Sequence, residues 1–484
     1  MDKPAKRIYL CLAHMSEAGL EQKYIKEAFD TNWVVPLGPN VNAFEKDLES
    51  FVNCVNNENE SFGTELRTKN EDEERKTNDL RHEDEKLKKV VALSAGTAAV
   101  HLALLACGVG QGDEVCVQSF TFCASSHPIT YLGAKPVFIG SERGTWNMDP
   151  ELLEAAIKDR IAKTGKKPKA IVPVALYGMP YDITRIMEIA DRYDIPVIED
   201  AAEGFGSKFD GQVLGTFGRY GVLSFNGNKM ITTSGGGALV CSTPEDANKI
   251  MWYATQAREA YPYYEHEAVG YNYRMSNICA GIGRGQMTVA DDHIAHHKMV
   301  QALYRELLKD VPGIHLHEAP VHENDNENFK VYDSNFWLCT ITLDPDLRIK
   351  GQEKAYGAAI TSAVGGAAGV IHAGGGVHTD CEPNTNVEAL RMWMDAAQVE
   401  ARPVWKPMHK QPVYNVMYEN VPLRCENANG DSVCYEGPKS CAYMNKNEVC
   451  EEIFKVGMCL PAGPYVTEED VRYIVDKIKE AIEE

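Results

Sequence analysis

Ile195-Pro196-Val197-Ile198-Glu199-Asp200-Ala201-Ala202 and, further along, Tyr220-Gly221-Val222-Leu223-Ser224-Phe225-Asn226-Gly227-Asn228-Lys229 decide how this chain is read. Each begins as a short apolar run, the pattern of a strand buried on both faces of a parallel sheet. The first run ends on an acid, Asp200, and the second delivers an amine, Lys229. Open α/β sheets bind their ligands at the carboxyl ends of the strands. The two side chains are therefore expected together at one sheet edge.

Outward from these runs, Val90 to about Ile250 alternates apolar segments with helical patterns, as a mostly parallel sheet covered by helices on both faces requires. Strands are predicted at Val90 to Leu93, Glu114 to Gln118, Pro136 to Ile139, Ala170 to Val174, Val197 to Glu199 and Gly221 to Phe225. Helices are predicted at Thr97 to Cys107, Pro150 to Ile161 and Ile183 to Tyr193, with Gly and Pro at the joins. Ser276 to Leu308 reads as a long helical region leading into a second domain. The expected division is residues 1–290, an N-terminal segment with the large domain, and 291–484, a smaller C-terminal domain. Thr467-Glu468-Glu469-Asp470 before an amphipathic run is a capping-box helix start. Residues 56–89 form a charged insertion with almost no large apolar residues, the composition of a solvated loop or a docking tail. Residues 358–386, rich in Gly, Ala and His, read as a surface insertion in the small domain.

A chain of 484 residues with 44% hydrophobic content can bury one large core and a second smaller one. A net charge of −21 argues against a nucleic-acid or anionic-membrane partner. Neither an apolar leader nor a spanning run of about 18 residues is seen, so a cytoplasmic location is expected. The fourteen cysteines include no C-x-x-C pair and read mostly as small buried hydrophobes. A metal or disulfide cluster is the alternative for Cys425, Cys434, Cys441, Cys450 and Cys459, although their spacing fits no zinc pattern; no metal is expected.

The acid and the amine have a joint use. A lysine can hold a cofactor aldehyde as a Schiff base, and a carboxylate can keep a pyridine nitrogen protonated; pyridoxal 5′-phosphate needs both. Leu93-Ser94-Ala95-Gly96-Thr97-Ala98-Ala99 sits where a strand meets a helix, so the amides of Gly96, Thr97 and Ala98 and the Thr97 hydroxyl can hold a phosphate. An ordinary helix start is the plainer reading, and the Asp200–Lys229 pair favours the phosphate. Ser224 offers a further hydroxyl. Phe122, in Ser119-Phe120-Thr121-Phe122, can stack on the pyridine face, with core packing as its alternative.

These segments, with Asn32-Trp33-Val34-Val35-Pro36-Leu37-Gly38-Pro39, Gly270-Tyr271-Asn272-Tyr273-Arg274-Met275 and Arg402-Pro403-Val404-Trp405-Lys406-Pro407-Met408-His409, resemble the nucleotide-sugar aminotransferases of the DegT/StrS family. The resemblance covers most of the chain outside the two insertions. It implies fold-type I of the pyridoxal-phosphate enzymes, aspartate aminotransferase-like, with a large α/β domain and a smaller α+β domain. It implies that Lys229 and Asp200 are catalytic and that Glu203 stands where relatives often carry Gln or His beside the cofactor's phenolic oxygen. By the same resemblance Asn272 reaches across a dimer interface to the cofactor phosphate, and Asn32, Trp33, Arg402 and His409 are candidates for substrate contact, small-domain packing being the alternative for the last two. The implied reaction is amination of a nucleotide-linked 4-keto-6-deoxy sugar by L-glutamate, giving a 4-amino sugar nucleotide and 2-oxoglutarate. The wording around Lys229 is similar to the bacillosamine-type enzymes acting on UDP-2-acetamido-4-keto sugars, with GDP- and dTDP-linked sugars as alternatives. A sugar dehydratase of the same fold would carry histidine in place of Lys229. A regulatory protein of this fold would not need the intact set. An oxidoreductase reading of Gly281-Ile282-Gly283-Arg284-Gly285 lacks the strand-to-helix turn it requires.

Overall fold

The computed structural model describes residues 6–53, 87–321, 330–356, 383–414, 432–437 and 439–483. Most of both predicted insertions, and Cys425, lie outside these residues. The six predicted strands are present within one or two residues of their expected ends, as Lys89–Leu93, Glu114–Gln118, Lys135–Ile139, Ala170–Val172, Ile198–Asp200 and Tyr220–Ser224. Lys135–Ile139, Glu114–Gln118 and Ala170–Val172 are parallel neighbours, and Ile198–Asp200 lies parallel to Tyr220–Ser224. Parallel bridges Ile171↔Val197 and Val174↔Asp200 join the two groups into one sheet. Gly237–Cys241, which the apolar pattern did not single out, pairs antiparallel with both Tyr220–Ser224 and Lys89–Leu93 and closes that side.

Alternation along these strands sends successive residues to opposite faces. Val90, Ala92, Cys116, Val137 and Ile139 enter one apolar core, whereas Val91, Leu93, Val115, Val117 and Phe138 enter the other. Helices pack on both faces, Pro150–Thr164 and Ile183–Tyr193 into the first core and Gly96–Ala106 into the second. Asp149 accepts from the Glu151 amide at 2.8 Å ahead of Pro150–Thr164, and Asp182 accepts from Arg185 ahead of Ile183–Tyr193. Ile183, Ile186, Ile189 and Ala190 are the buried stripe of the latter helix.

The expected long helix is two, Asn277–Met287 and Ala290–Leu308. The first packs its glycines against the N-terminal helices: a Cβ on Gly285 would lie 2.5 Å from the Glu21 amide nitrogen, and one on Gly283 2.7 Å from the Phe44 ring. Close helix packing therefore accounts for the Gly-x-Gly-x-Gly run. A second sheet, all antiparallel, is ordered Ile314–Leu316, Cys339–Leu343, Gly457–Leu460, Arg402–Pro403. It shares a core with Ala290–Leu308, Thr385–Ala396 and the terminal helix Glu468–Ala481, whose start carries the expected Thr467–Asp470 capping box. Ser432–Glu436 and Cys441–Asn445 form an antiparallel hairpin. Cys441–Asn445 pairs parallel with Lys135–Ile139, extending the large sheet with late sequence. Arg160 fastens this edge, bonding Glu114 at 2.9 and 2.7 Å and meeting Glu436 at 3.3 Å.

Candidate active site

Ile198–Asp200 is buried along its whole length, so its last residue is delivered to the sheet edge with little solvent around it. Asp200 is 4% exposed. Its Oδ2 accepts from the Ser125 hydroxyl at 2.6 Å and its Oδ1 from the Ala202 amide at 3.1 Å. Burial pushes the Asp200 carboxyl pKa up, while Ser125, the Ala202 amide and the charge of Lys229 oppose the rise. Ser125 is held in turn by Thr121 at 2.8 Å, so the turn after Glu114–Gln118 orients the acid.

Lys229 follows Tyr220–Ser224 by a short turn, its amide donating to the Asn226 carbonyl at 3.0 Å. Its Nζ lies 3.4 Å from Glu203 Oε1 and 4.0 Å from the centre of the Trp337 ring. Trp337 is buried and its indole N–H donates to the Asn228 carbonyl at 2.7 Å, tying the lysine turn to a segment more than a hundred residues later. Glu203 Oε2 accepts from the Tyr177 amide at 2.7 Å. Tyr177 holds a left-handed backbone (φ 54°), uncommon for a residue with a side chain, and its hydroxyl accepts from the Trp405 amide at 2.8 Å.

Asp200, Glu203 and Lys229 face one cavity of about 220 Å³ with Gly96, Thr97, Phe122 and Ser224. The helix Gly96–Ala106 points its first turn at this space. Its preceding residue, Ala95, is extended and gives no side-chain cap, so its leading amides keep the free donor character of a helix start. A Cβ on Gly96 would lie 3.1 Å from Ser224 Cβ and 3.3 Å from its hydroxyl, so the two parts of the cradle touch. Helix-start amides, hydroxyls, an acid and an amine on one cavity match a phosphate, a ring nitrogen and an aldehyde. The donor set fits pyridoxal 5′-phosphate.

The remaining expected residues lie elsewhere. Ala98 is buried in the helix and is not among the residues lining the cavity. Asn272 is exposed, on a segment whose neighbour Tyr273 accepts from the Ser94 amide at 2.8 Å, but it does not line the cavity within this chain. Asn32 and Trp33 are exposed on a loop pinned by Asn277, which donates to the Trp33 carbonyl at 2.9 Å. Arg402 is paired with Glu400 at 2.6 Å. His409 is fully buried, its Nδ1 2.6 Å from the Ser119 hydroxyl and its Nε2 3.2 Å from Glu451, so within this chain it braces the turn after Glu114–Gln118. Trp405 from the same motif does reach the cavity, and with Phe122 and Thr121 forms the wall it shares with a second cavity of about 420 Å³.

Sequence reading missed Ser125, Tyr177 and Trp337. Ser125 follows a turn already flagged at Phe122, so its spacing could have marked it. The other two meet the site only through the chain's long-range path. Cys434, Cys441, Cys450 and Cys459 are all buried. Among the described residues no group of three or more His, Cys, Asp or Glu side chains gathers as a metal cage. Nor is any described helix long and apolar enough to cross a membrane.

Known proteins resemble this chain in sequence and in fold. EpsN of Bacillus subtilis (strain 168), provisionally named a pyridoxal phosphate-dependent aminotransferase, is 35% identical over 471 residues, 97% of this chain and 95% of EpsN. GDP-perosamine synthase of Escherichia coli O157:H7 is 29% identical over 98% of both chains. A crystal structure of a DegT DnrJ EryC1 StrS aminotransferase from Brucella abortus shares the fold with a TM-score of 0.69 at 23% identity, covering 96% of this chain and 95% of that one. Residues 80–356, which carry the Gly96 turn, Asp200 and Lys229, match the DegT/DnrJ/EryC1/StrS aminotransferase family. The chain belongs to that family, whose members are fold-type I, pyridoxal-phosphate-dependent enzymes.

Proposed function

We propose that this enzyme transfers the amino group of L-glutamate to the ketone of a nucleotide-linked 4-keto-6-deoxy sugar, yielding a 4-amino sugar nucleotide and 2-oxoglutarate. The observation that carries the reading is the convergence of Lys229, Asp200 and an uncapped helix start on one cavity. Pyridoxal 5′-phosphate, when bound, supplies an aldehyde that carries nitrogen between two carbonyl compounds and a ring that takes up electron density. Gly96, Thr97, Ser224 and, through the helix dipole, the start of Gly96–Ala106 would hold its phosphate. Asp200 would face its ring nitrogen, with Ser125 and the Ala202 amide keeping the carboxylate in place. Phe122 would cover one face of the ring.

Lys229 Nζ is the proton carrier in this reading, taking the proton from the donor's α-carbon and returning one to the sugar carbon that receives nitrogen. The second cavity, beyond Phe122 and Trp405, gives the larger substrate room next to the reacting atoms. A UDP-2-acetamido-4-keto sugar is favoured by the residues around Lys229. A GDP-linked sugar is the second reading, supported by the full-length likeness to a GDP-perosamine synthase. Asn272, exposed here, would reach the cofactor phosphate of a second copy, and a homodimer with shared sites follows from that role. The exposed Asn32 and Trp33 would then face substrate at the junction of the copies. A cytoplasmic location belongs to the same reading.

Absorbance of the cofactor-loaded protein during glutamate addition, then a panel of UDP-, dTDP- and GDP-linked 4-keto-6-deoxy sugars, tests this reading. Glutamate should bleach the cofactor band and one sugar should restore it. Lys229→Ala should abolish both the bound-cofactor absorbance and turnover. Retained turnover at the wild-type rate in that variant would overturn the assignment of Lys229.

A further inference from the structure

Helix Ala290–Leu308 carries His293 and His297 one turn apart, both buried. His293 Nδ1 lies 3.2 Å from the carbonyl oxygen of Met230, the residue after Lys229. His297 Nδ1 lies 3.1 Å from the carbonyl oxygen of Phe336, the residue before Trp337. A carbonyl can only accept, so each ring carries a proton on Nδ1 and donates it. Burial pushes the His297 pKa down to about 3, against the pull of the Phe336 carbonyl, so the ring is neutral at neutral pH. Its Nε2 is then a bare acceptor, and among the described residues nothing bonds to it. Phe336 holds a left-handed backbone (φ 48°), which a bulky residue keeps only where its surroundings impose it. Ser334 accepts from the Phe336 amide at 3.0 Å, and Asn335 accepts from the Trp337 amide at 2.8 Å while donating to the Glu203 and Phe205 carbonyls. Lys298, beside His297 on the helix, meets Asp333 at 2.6 Å. One helix thus grips both the lysine turn and the segment that presents the Trp337 ring to Nζ at 4.0 Å.

We propose that His297, supported by His293, is a positioning residue for Lys229: its Nδ1–H holds the Phe336 peptide in the conformation that seats the Trp337 ring under the lysine amine. This rests on the reading of Lys229 given above. Met230 and Phe336 adjoin the lysine and its seat, so fixing both carbonyls to one helix makes the two move together. Lys229 Nζ has to meet two carbon atoms in turn, and a small misplacement slows proton transfer steeply. Neither histidine lines the cavity, so the effect falls on the rate and not on how tightly glutamate is held.

His297→Leu removes the donor at similar volume, whereas His297→Asn places an amide nitrogen where Nδ1 stands and keeps it. Stopped-flow bleaching of the cofactor-loaded proteins by glutamate separates the saturating rate from the half-saturating concentration. The leucine variant should lose about tenfold in rate with half-saturation within about twofold of wild type, and the asparagine variant should recover the rate to within about threefold. In the cofactor-free proteins labelled with 5-fluorotryptophan, with signals assigned by single Trp→Phe replacements, the Trp337 resonance should move in the leucine variant and return in the asparagine variant, while that of Trp252 stays. A leucine variant with wild-type rate and an unmoved Trp337 signal, or an asparagine variant as slow as the leucine one, would overturn the proposal and leave Lys229 standing. If the leucine variant does not fold, ¹⁵N-histidine spectra of the wild type decide, with the His297 signal identified by its loss in His297→Asn. A ring protonated on Nδ1 alone is expected, and one protonated on Nε2 overturns the proposal. Turnover at the wild-type rate in Lys229→Ala would overturn both readings.

Discussion

Ser125→Ala separates Asp200 from its support without touching the cavity's lysine. The variant removes the 2.6 Å hydroxyl bond to Asp200 Oδ2 and leaves the Ala202 amide on Oδ1. A hydrogen bond to a charged, buried group contributes about 1.5 to 3 kcal/mol. The bond strengthens only the ionised acid, so its loss should weaken pyridoxal 5′-phosphate binding roughly ten- to a hundredfold. The direction with pH follows. Burial already raises the Asp200 pKa, and Ser125 is the first influence opposing it. Without Ser125 the carboxylate protonates at a higher pH, and the loss of cofactor affinity on acidification starts earlier. In the cofactor-free protein the linkage has the other sign. A folded-state pKa above the unfolded one gives stability that is fully present below the unfolded value and is lost as pH rises through the folded value. The variant should lose more stability than the wild type over that rise. Cofactor dissociation constants from absorbance titrations across pH, with thermal melts of the cofactor-free proteins, measure both effects. Affinity within about twofold of wild type and an unmoved acid limb would refute the role assigned to Ser125.

Two further variants probe the scaffold. Glu199 accepts from the amides of Gly215, Phe217 and Gly218 at 3.1, 2.6 and 2.6 Å, so Glu199→Ala should strand buried donors and destabilise by about 3 to 5 kcal/mol in urea unfolding. Gly237→Ala would bring a Cβ against the Gly96 amide nitrogen and within 2.8 Å of the Ala95 carbonyl oxygen. It should cost about 2 to 3 kcal/mol in the same assay and weaken cofactor binding, because the helix start must move.

The pairing that makes these variants informative could be read from the chain in unequal parts. Ile195 to Asp200 and Tyr220 to Ser224 are apolar, short and bounded by turn residues, a local signal that places strands almost to the residue. Because parallel strands present their carboxyl ends to one edge, Asp200, Lys229 and the Gly96 turn could be brought together without coordinates. Gly237–Cys241 escaped because an apolar run does not say whether it continues a parallel sheet or turns back on it. The late hairpin at Cys441–Asn445 escaped for a related reason: nothing local in it identifies Lys135–Ile139 as its neighbour.

The six predicted strands, the helix start at Gly96 and the meeting of Asp200 with Lys229 were thus legible in the sequence alone, since each depends on periodicity or a strand end within a few residues. Tertiary structure decided what holds them. Trp337 under Lys229, Tyr177 on Glu203 and Ser125 on Asp200 are contacts between segments far apart in the chain. It also decided that His409 is buried against Ser119 while Trp405, four residues earlier, reaches the cavity. Such contacts are set by how the sheet orders its strands and how the later chain returns to it. No local preference of the backbone encodes that path.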